Sequence, residues 1–282
     1  MRKLLLNLIV LFSSVFLAAN AFALGANVNA ETMNPCVATA GTNGIISQTP
    51  ASGACGATPT KYEITVVEMG VCTAHPYGTS KDAEAFDAST CSVVYSDTTP
   101  TATDIAVLIG TSLGMDGEST LPPVGTYGYP YILFENQFVT NTTFTAGDGS
   151  KWYGLSTGFT DQIGPATDRT ESLLNFDGPT CFSGYIGAAV TGGTIDGFIT
   201  NSAKLRSAAG SAGPSCALRT HVVGVMNLAA PFAITPQTYG LNFQFLLTGQ
   251  GTQFMSSNGD DAFPEDYGSA PFSGVFTVLN QE

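Results

Sequence analysis

Few residues in this chain combine the type and the spacing that chemistry needs. Gly110-Thr111-Ser112-Leu113-Gly114 fits the pattern G-x-S-x-G, and the apolar run Ile105 to Ile109 stands just before it. In a serine hydrolase that motif is followed at once by a helix that orients the serine and helps build the oxyanion hole. Here Gly117, Pro122 and Pro123 follow instead. A serine in a glycine turn between strands is the plainer reading, and a secreted serine hydrolase stays a remote alternative. The two histidines, His75 before Pro76 and His221 in RTHVVGV, have no serine or cysteine motif beside them to serve as general bases. No catalytic residue is assigned.

Two other groups of residues suggest binding. Asp260, Asp261, Glu265 and Asp266 crowd into SNGDDAFPEDYG. Hard carboxylate oxygens at that density could hold Ca²⁺ in an extracellular module, although the spacing is not that of an EF-hand and a solvated acidic loop is the plainer reading. Tyr127, Tyr129 and Tyr131 alternate along one strand face, and Trp152 and Tyr153 follow a little further on. Such rings can stack a sugar or meet another subunit, or they can cover a neighbouring strand. Asn141-Thr142-Thr143 fits a glycosylation sequon.

The cysteines point to structure. Cys36, Cys55, Cys72, Cys91, Cys181 and Cys216 form an even set without any C-x-x-C pair, which reads as a disulfide framework and not as a zinc site. Many pairings are open, and neighbours are preferred: Cys36 with Cys55, Cys72 with Cys91, Cys181 with Cys216. Each would close a loop too poor in apolar residues to hold itself, removing on the order of 3 kcal/mol of unfolded-state entropy.

Bridges of this kind need an oxidising compartment. Residues 1–23 have the layout of a secretory signal peptide, with Arg2 and Lys3 before an apolar run and Ala21-Phe22-Ala23 at its end. The expected location is secreted, periplasmic or cell surface, without membrane insertion after cleavage. The chain carries a formal charge of −13, and losing Arg2 and Lys3 makes it more acidic. Nucleic acid and anionic lipid are therefore not expected partners.

Charged residues are 11% of the chain, against about 25% in an average soluble domain, so charged helices are scarce and strands and loops dominate. KYEITVVEMGVC alternates on both faces and implies a bulge near Val66 or burial on both sides. CSVVYSD and TDIAVLIG are short strands. The run from Thr126 to Phe138 is another, and Pro130 within it implies an edge position or a bulge. LNFQFLL has the alternation of a half-buried strand, and FSGVFTVL closes the chain.

Leu121, Pro122, Gly125 and Tyr127, with Val124 as one extra residue, resemble the L-P-x-G-x-Y turn of prealbumin-like β-sandwich modules of bacterial exported proteins. The resemblance covers about residues 61 to 145, implies a β-sandwich, and brings no catalytic residue. The expected organisation is a signal peptide (1–23), a disulfide-pinned N-terminal extension (24–60) and an all-β sandwich (61–282). That sandwich contains a long, irregular, disulfide-tied insertion at about 146–240 and little helix, although the length also permits two sandwiches. Within the insertion, DRTESLLNF is read as a helical turn capped by Asp168. The expected function is that of an exported structural or adhesive protein that meets itself, other surface proteins or glycans. A glycan- or calcium-binding module is the alternative.

Overall fold

The computed structural model describes residues 35–38, 40–46, 54–81, 83–106, 117–173, 185–190, 192–206, 219–256, 263–270 and 272–281. Among them the fold is all-β and sandwich-like, with a single 3-10 turn at Ala88–Thr90. The strands are β1 Val37–Ala38, β2 Ile45–Ile46, β3 Ala54–Ala57, β4 Lys61–Ile64, β5 Val66–Cys72, β6 Cys91–Ser96, β7 Thr103–Asp104, β8 Glu118–Ser119, β9 Gly125–Tyr127, β10 Tyr129–Glu135, β11 Phe138–Asn141 and β12 Thr143–Thr145. They continue with β13 Lys151–Gly154, β14 Thr160–Asp161, β15 Arg169–Glu171, β16 Tyr185–Val190, β17 Gly193–Thr200, β18 His221–Leu228, β19 Phe232–Ile234, β20 Thr238–Leu246, β21 Thr252–Met255, β22 Asp266–Ser269 and β23 Ser273–Asn280.

The largest sheet has seven antiparallel strands in the order β16-β17-β18-β10-β5-β6-β8. Its inner face supplies Val66, Met69, Val71, Ile132, Phe134 and Val222 to the main core. Tyr62 and Ile64 of β4 and Phe138 of β11, both in the four-stranded sheet β15-β11-β4-β7, join the same core. Leu241, Phe243 and Phe245 of the ribbon β20-β23 pack onto it. LNFQFLL thus behaves as its alternation implies: Asn242 and Gln244 are exposed while their neighbours turn inward.

Both readings of KYEITVVEMGVC hold. Leu133 faces Glu68 and Phe134 faces Val66, which leaves Val67 as the extra residue of a bulge. The bulge resets the alternation, so that Val66, Met69 and Val71 all reach the inner core. Strand β10 is central and not an edge, lying between β18 and β5. Pro130 is accommodated because it is the second residue of the strand, opposite Val71, while pairing to β18 begins at Tyr131.

Residues 146–240 contribute more than an insertion. They include β17 and β18, which continue the seven-stranded sheet beyond β10, and β16 at its edge. DRTESLLNF differs from its expected helical turn: Arg169–Glu171 is strand β15, paired with β11. Tertiary partners decide this, since Arg169 Nη2 meets Glu171 Oε1 at 2.7 Å in a buried pair and Glu171 Oε2 accepts from the Ser269 amide at 2.6 Å. Local capping energy of about 1 kcal/mol cannot compete with a buried ion pair left unmade.

A smaller second core gathers Ile45, Cys55, Trp152, Phe254 and Tyr267, drawn largely from the sheets β22-β21-β3 and β12-β13-β14. The N-terminal extension therefore helps build a core as well as being pinned. Cys36–Cys55 and Cys72–Cys91 are disulfides, as neighbour pairing requires. Cys181, Cys216 and the segment 1–23 lie outside the described residues. The two bridges fit a non-cytoplasmic compartment, and no helix among the described residues is long and apolar enough to cross a membrane.

Candidate functional site

The outer face of the seven-stranded sheet carries a connected set of titratable groups. Tyr131, Leu133, Phe198, Val223 and Val225 project there. The loop between β5 and β6 crosses over them, its neck closed by Cys72–Cys91. Tyr77 from this loop lies against Phe198 with ring centroids 4.1 Å apart, and Phe86 meets Tyr131 edge-on at 4.9 Å.

A carboxylate inside a strand of such a face needs partners, because an isolated buried charge is costly. Asp196 of β17 is fully buried. Its Oδ1 accepts from Lys81 Nζ at 2.9 Å and Tyr185 Oη at 2.8 Å, and its Oδ2 accepts a short bond from Asn227 Nδ2. His75 Nε2 stands 3.4 Å from Oδ2, at ion-pair range but outside hydrogen-bond alignment. Burial works against the charge of Asp196, yet the donors His75, Lys81, Asn227 and Tyr185 outweigh it and hold the carboxyl down at about 2. Burial also opposes the charge of Lys81, and the bond to Asp196, the attraction of that carboxylate and the influence of Tyr185 together more than offset it, raising the ammonium above its ordinary value.

Glu68 of β5 forms a second, parallel arrangement. It accepts from Tyr131 Oη at 2.5 Å and from Lys204 Nζ at 2.5 Å. Tyr131 reaches it by lying across Gly70, its partner on β5; a Cβ there would fall 2.3 Å from Tyr131 Cε1. Burial first, then the bond to Glu68, raise the Tyr131 hydroxyl far above its ordinary value.

The two lysines share a backbone feature. Lys81 (φ 61°) and Lys204 (φ 59°) are the non-glycine residues with left-handed φ among the described residues. That conformation costs roughly 1–3 kcal/mol for a side-chain-bearing residue. A glycine would adopt it freely but would bring no ammonium to the carboxylate.

The strained lysines sit on two different loops, and those loops also hold each other. Tyr77 Oη donates to the Lys204 carbonyl at 2.8 Å, Arg206 Nη1 donates to the Lys81 carbonyl at 2.5 Å, and the Arg206 amide donates to the Glu84 carbonyl at 2.8 Å. The Arg206 guanidinium lies 5.0 Å from the Phe198 ring centroid, and Lys204 Nζ lies 4.7 Å from that of Phe86. Three of the nine basic residues in an acidic chain are gathered at this one place.

Chemically, the set fastens two loops to the sheet and to each other. His75 Nδ1 accepts from the Tyr77 amide at 3.1 Å, which puts the imidazole proton on Nε2, facing Asp196. Apart from His75 Nε2, the polar atoms of the two carboxylate groups pair with one another. Sequence reading singled out His75 here but missed Asp196, Glu68, Lys81, Lys204, Arg206 and Asn227. A signal existed: in a chain so poor in charge, one acid inside GTIDGFIT and one inside VVEMGV mark carboxylates that the fold must pair.

The expected tyrosine face divides. Tyr129 and Tyr131 stay on the outer side beneath the loop, but Tyr127 belongs to the inner core. Gly128 separates β9, paired with β19, from β10 and breaks the alternation. Tyr127 and Tyr131 are buried, with Tyr129 half-buried beside His75 at 5.7 Å. Trp152 is buried in the second core, where its Nε1 donates to the Asn43 carbonyl at 2.5 Å, and Tyr153 is half-buried on the same strand. The five rings do not form one surface.

Glu265 is exposed and Asp266 half-buried on β22, its carboxyl raised by burial and by Glu265. Asp260, Asp261 and Ser112 lie outside the described residues, among which no three of His, Cys, Asp and Glu gather as a metal-binding group. His221 opens β18 opposite Glu135, its ring pulled below the ordinary value by burial. Asn141 of the sequon donates to Asp168 Oδ1 at 3.0 Å, and Thr142 is fully buried against Thr252. Comparison of the chain with models of protein families, with curated proteins and with solved structures gives no match.

Proposed function

We propose that this chain is an exported structural or adhesive β-protein of a cell surface or surface assembly, acting by contact and not by turnover. The observation that carries the reading is the use made of the charged side chains. The chain has few, and those on the outer sheet face lock two loops onto the sheet through Lys81–Asp196 and Lys204–Glu68. A body held by disulfides, ion pairs and ring stacking keeps its surface shape outside the cell, which contact requires. Partners of matching kind are a second copy, other surface proteins or glycans.

Fractionation of the producing cells, with and without the gene, tests this. The expected result is a processed, disulfide-bonded chain in the envelope or medium, and altered adhesion or surface ultrastructure when it is deleted. A chain confined to the cytoplasm with free thiols would overturn the reading. So would turnover of a substrate in a hydrolase screen that is lost in Ser112→Ala.

A further inference from the structure

The ribbon β20-β23 differs from the other long strands in what lies beyond it. Strand β19 packs against β23, whereas β20 has no strand beside it other than β23 among the described residues. Between its ends, where the Thr238 amide donates to the Thr235 carbonyl and the Leu246 carbonyl accepts from Gln250 Nε2, the outer edge of this nine-residue strand has no strand partner among the described residues and offers amides and carbonyls to another chain. Proteins usually guard such an edge with lysine, proline or an inward charge. Thr238–Leu246 contains no charged residue and no proline. Its one irregularity is the bulge between Thr238 and Gly240, at one end.

The sequence of this edge reads nearly alike in both directions about Phe243. Asn242 and Gln244 flank it, and Leu241 and Phe245 come next. The amides are exposed, and the apolar side chains pack on the main core. Antiparallel pairing with an identical edge about Phe243 sets Asn242 opposite Gln244 of the other copy, and Leu241 opposite Phe245. Amide then meets amide on the solvent side, and apolar meets apolar on the core side. Self-complementarity of this kind is what a two-fold interface demands. Charge at this edge does not oppose the same occupant: β20 presents neither sign, although the chain as a whole carries −13.

We propose that the outer edge of β20 pairs antiparallel with the same edge of a second copy, with the two-fold axis at Phe243, joining two ribbons into one continuous sheet. This rests on the contact reading above and names its partner. Sedimentation velocity of the purified, oxidised protein over a range of concentrations is the first test, and a concentration-dependent dimer is expected. Asn242→Glu with Gln244→Glu sets like charges against each other across the seam, and so does Asn242→Lys with Gln244→Lys. Each double variant should weaken the dimer by roughly tenfold or more at low salt. Mixing the two should restore dimers, now composed of one copy of each.

Both positions are exposed, so the variants should fold. Amide hydrogen exchange provides a check that does not depend on them, because the β20 amides should gain protection as concentration rises. A strictly monomeric protein would overturn the proposal, as would a dimer indifferent to both double variants or a monomer that binds glycans instead. Those outcomes leave the cell-fractionation result untouched, so the pairing can fail while the contact reading stands.

Discussion

The two faces of the seven-stranded sheet are both covered, but by different physics. The inner face meets other strands, and Phe134, Phe138, Tyr62 and their neighbours exclude water by apolar area alone. The outer face meets two loops whose apolar contribution is chiefly Tyr77 and Phe86, with polar and charged anchors around them. There a disulfide, two strained lysines and five cation–ring contacts supply what area does not. Strands can cover a sheet by hydrophobic burial, whereas a loop must be tied down at named points. The first kind of cover should be indifferent to pH and the second sensitive to it.

The contrast can be broken at several places. Phe134→Ala on the inner face should cost about 4 kcal/mol in denaturant titration, with the same loss at every pH where the protein folds. Asp196→Ala strands Lys81, His75 and Asn227 around a void and should cost about 3 kcal/mol. Its sign is local: limited proteolysis should cut the Cys72–Cys91 loop or the turn at residues 201–206 first. If cleavage began in the inner strands instead, the two covers would be one unit.

Gly70→Ala pushes Tyr131 off Glu68 and should cost about 2–3 kcal/mol, read as a fall in melting temperature that Gly128→Ala, facing only Pro231 at ordinary contact distance, does not share. Asp196 is held at about 2 in the folded chain against an ordinary 3.8. It therefore steadies the fold throughout the range above 3.8 and loses that hold as pH falls through about 2. Asp196→Asn should flatten this stretch of the pH–stability curve by about 2 kcal/mol. The smallest effect belongs to an exposed pair: Lys61→Ala, which removes the 2.7 Å contact with Asp168, should change stability by under about 1 kcal/mol.

Much of the fold was legible because its signals are short-ranged. Two neighbour disulfides, the bulge near Val66 and the inward set Leu241, Phe243 and Phe245 all follow from residues within a few positions of each other or on one loop. The candidate site was not legible in the same way. Lys81 and Asp196 are 115 residues apart and Glu68 and Lys204 are 136 apart, and nothing local announces which lysine meets which acid. The tyrosine row failed for a subtler reason: strict alternation from Tyr127 to Tyr131 assumes one strand, but Gly128 interrupts it and Tyr129 begins a new one.

What the amino-acid order determined by itself was the kind of local structure: extended segments, where they kink, and which cysteines lie close enough to join. What only the assembled molecule decided was coverage, meaning which face of each strand meets protein and which meets water. Periodicity assigns residues to two sides of a strand but does not label either side, because the label depends on chain segments a hundred residues away that come to rest against it. For Tyr131 that segment was a loop, and for the outer edge of β20 it was, among the described residues, nothing.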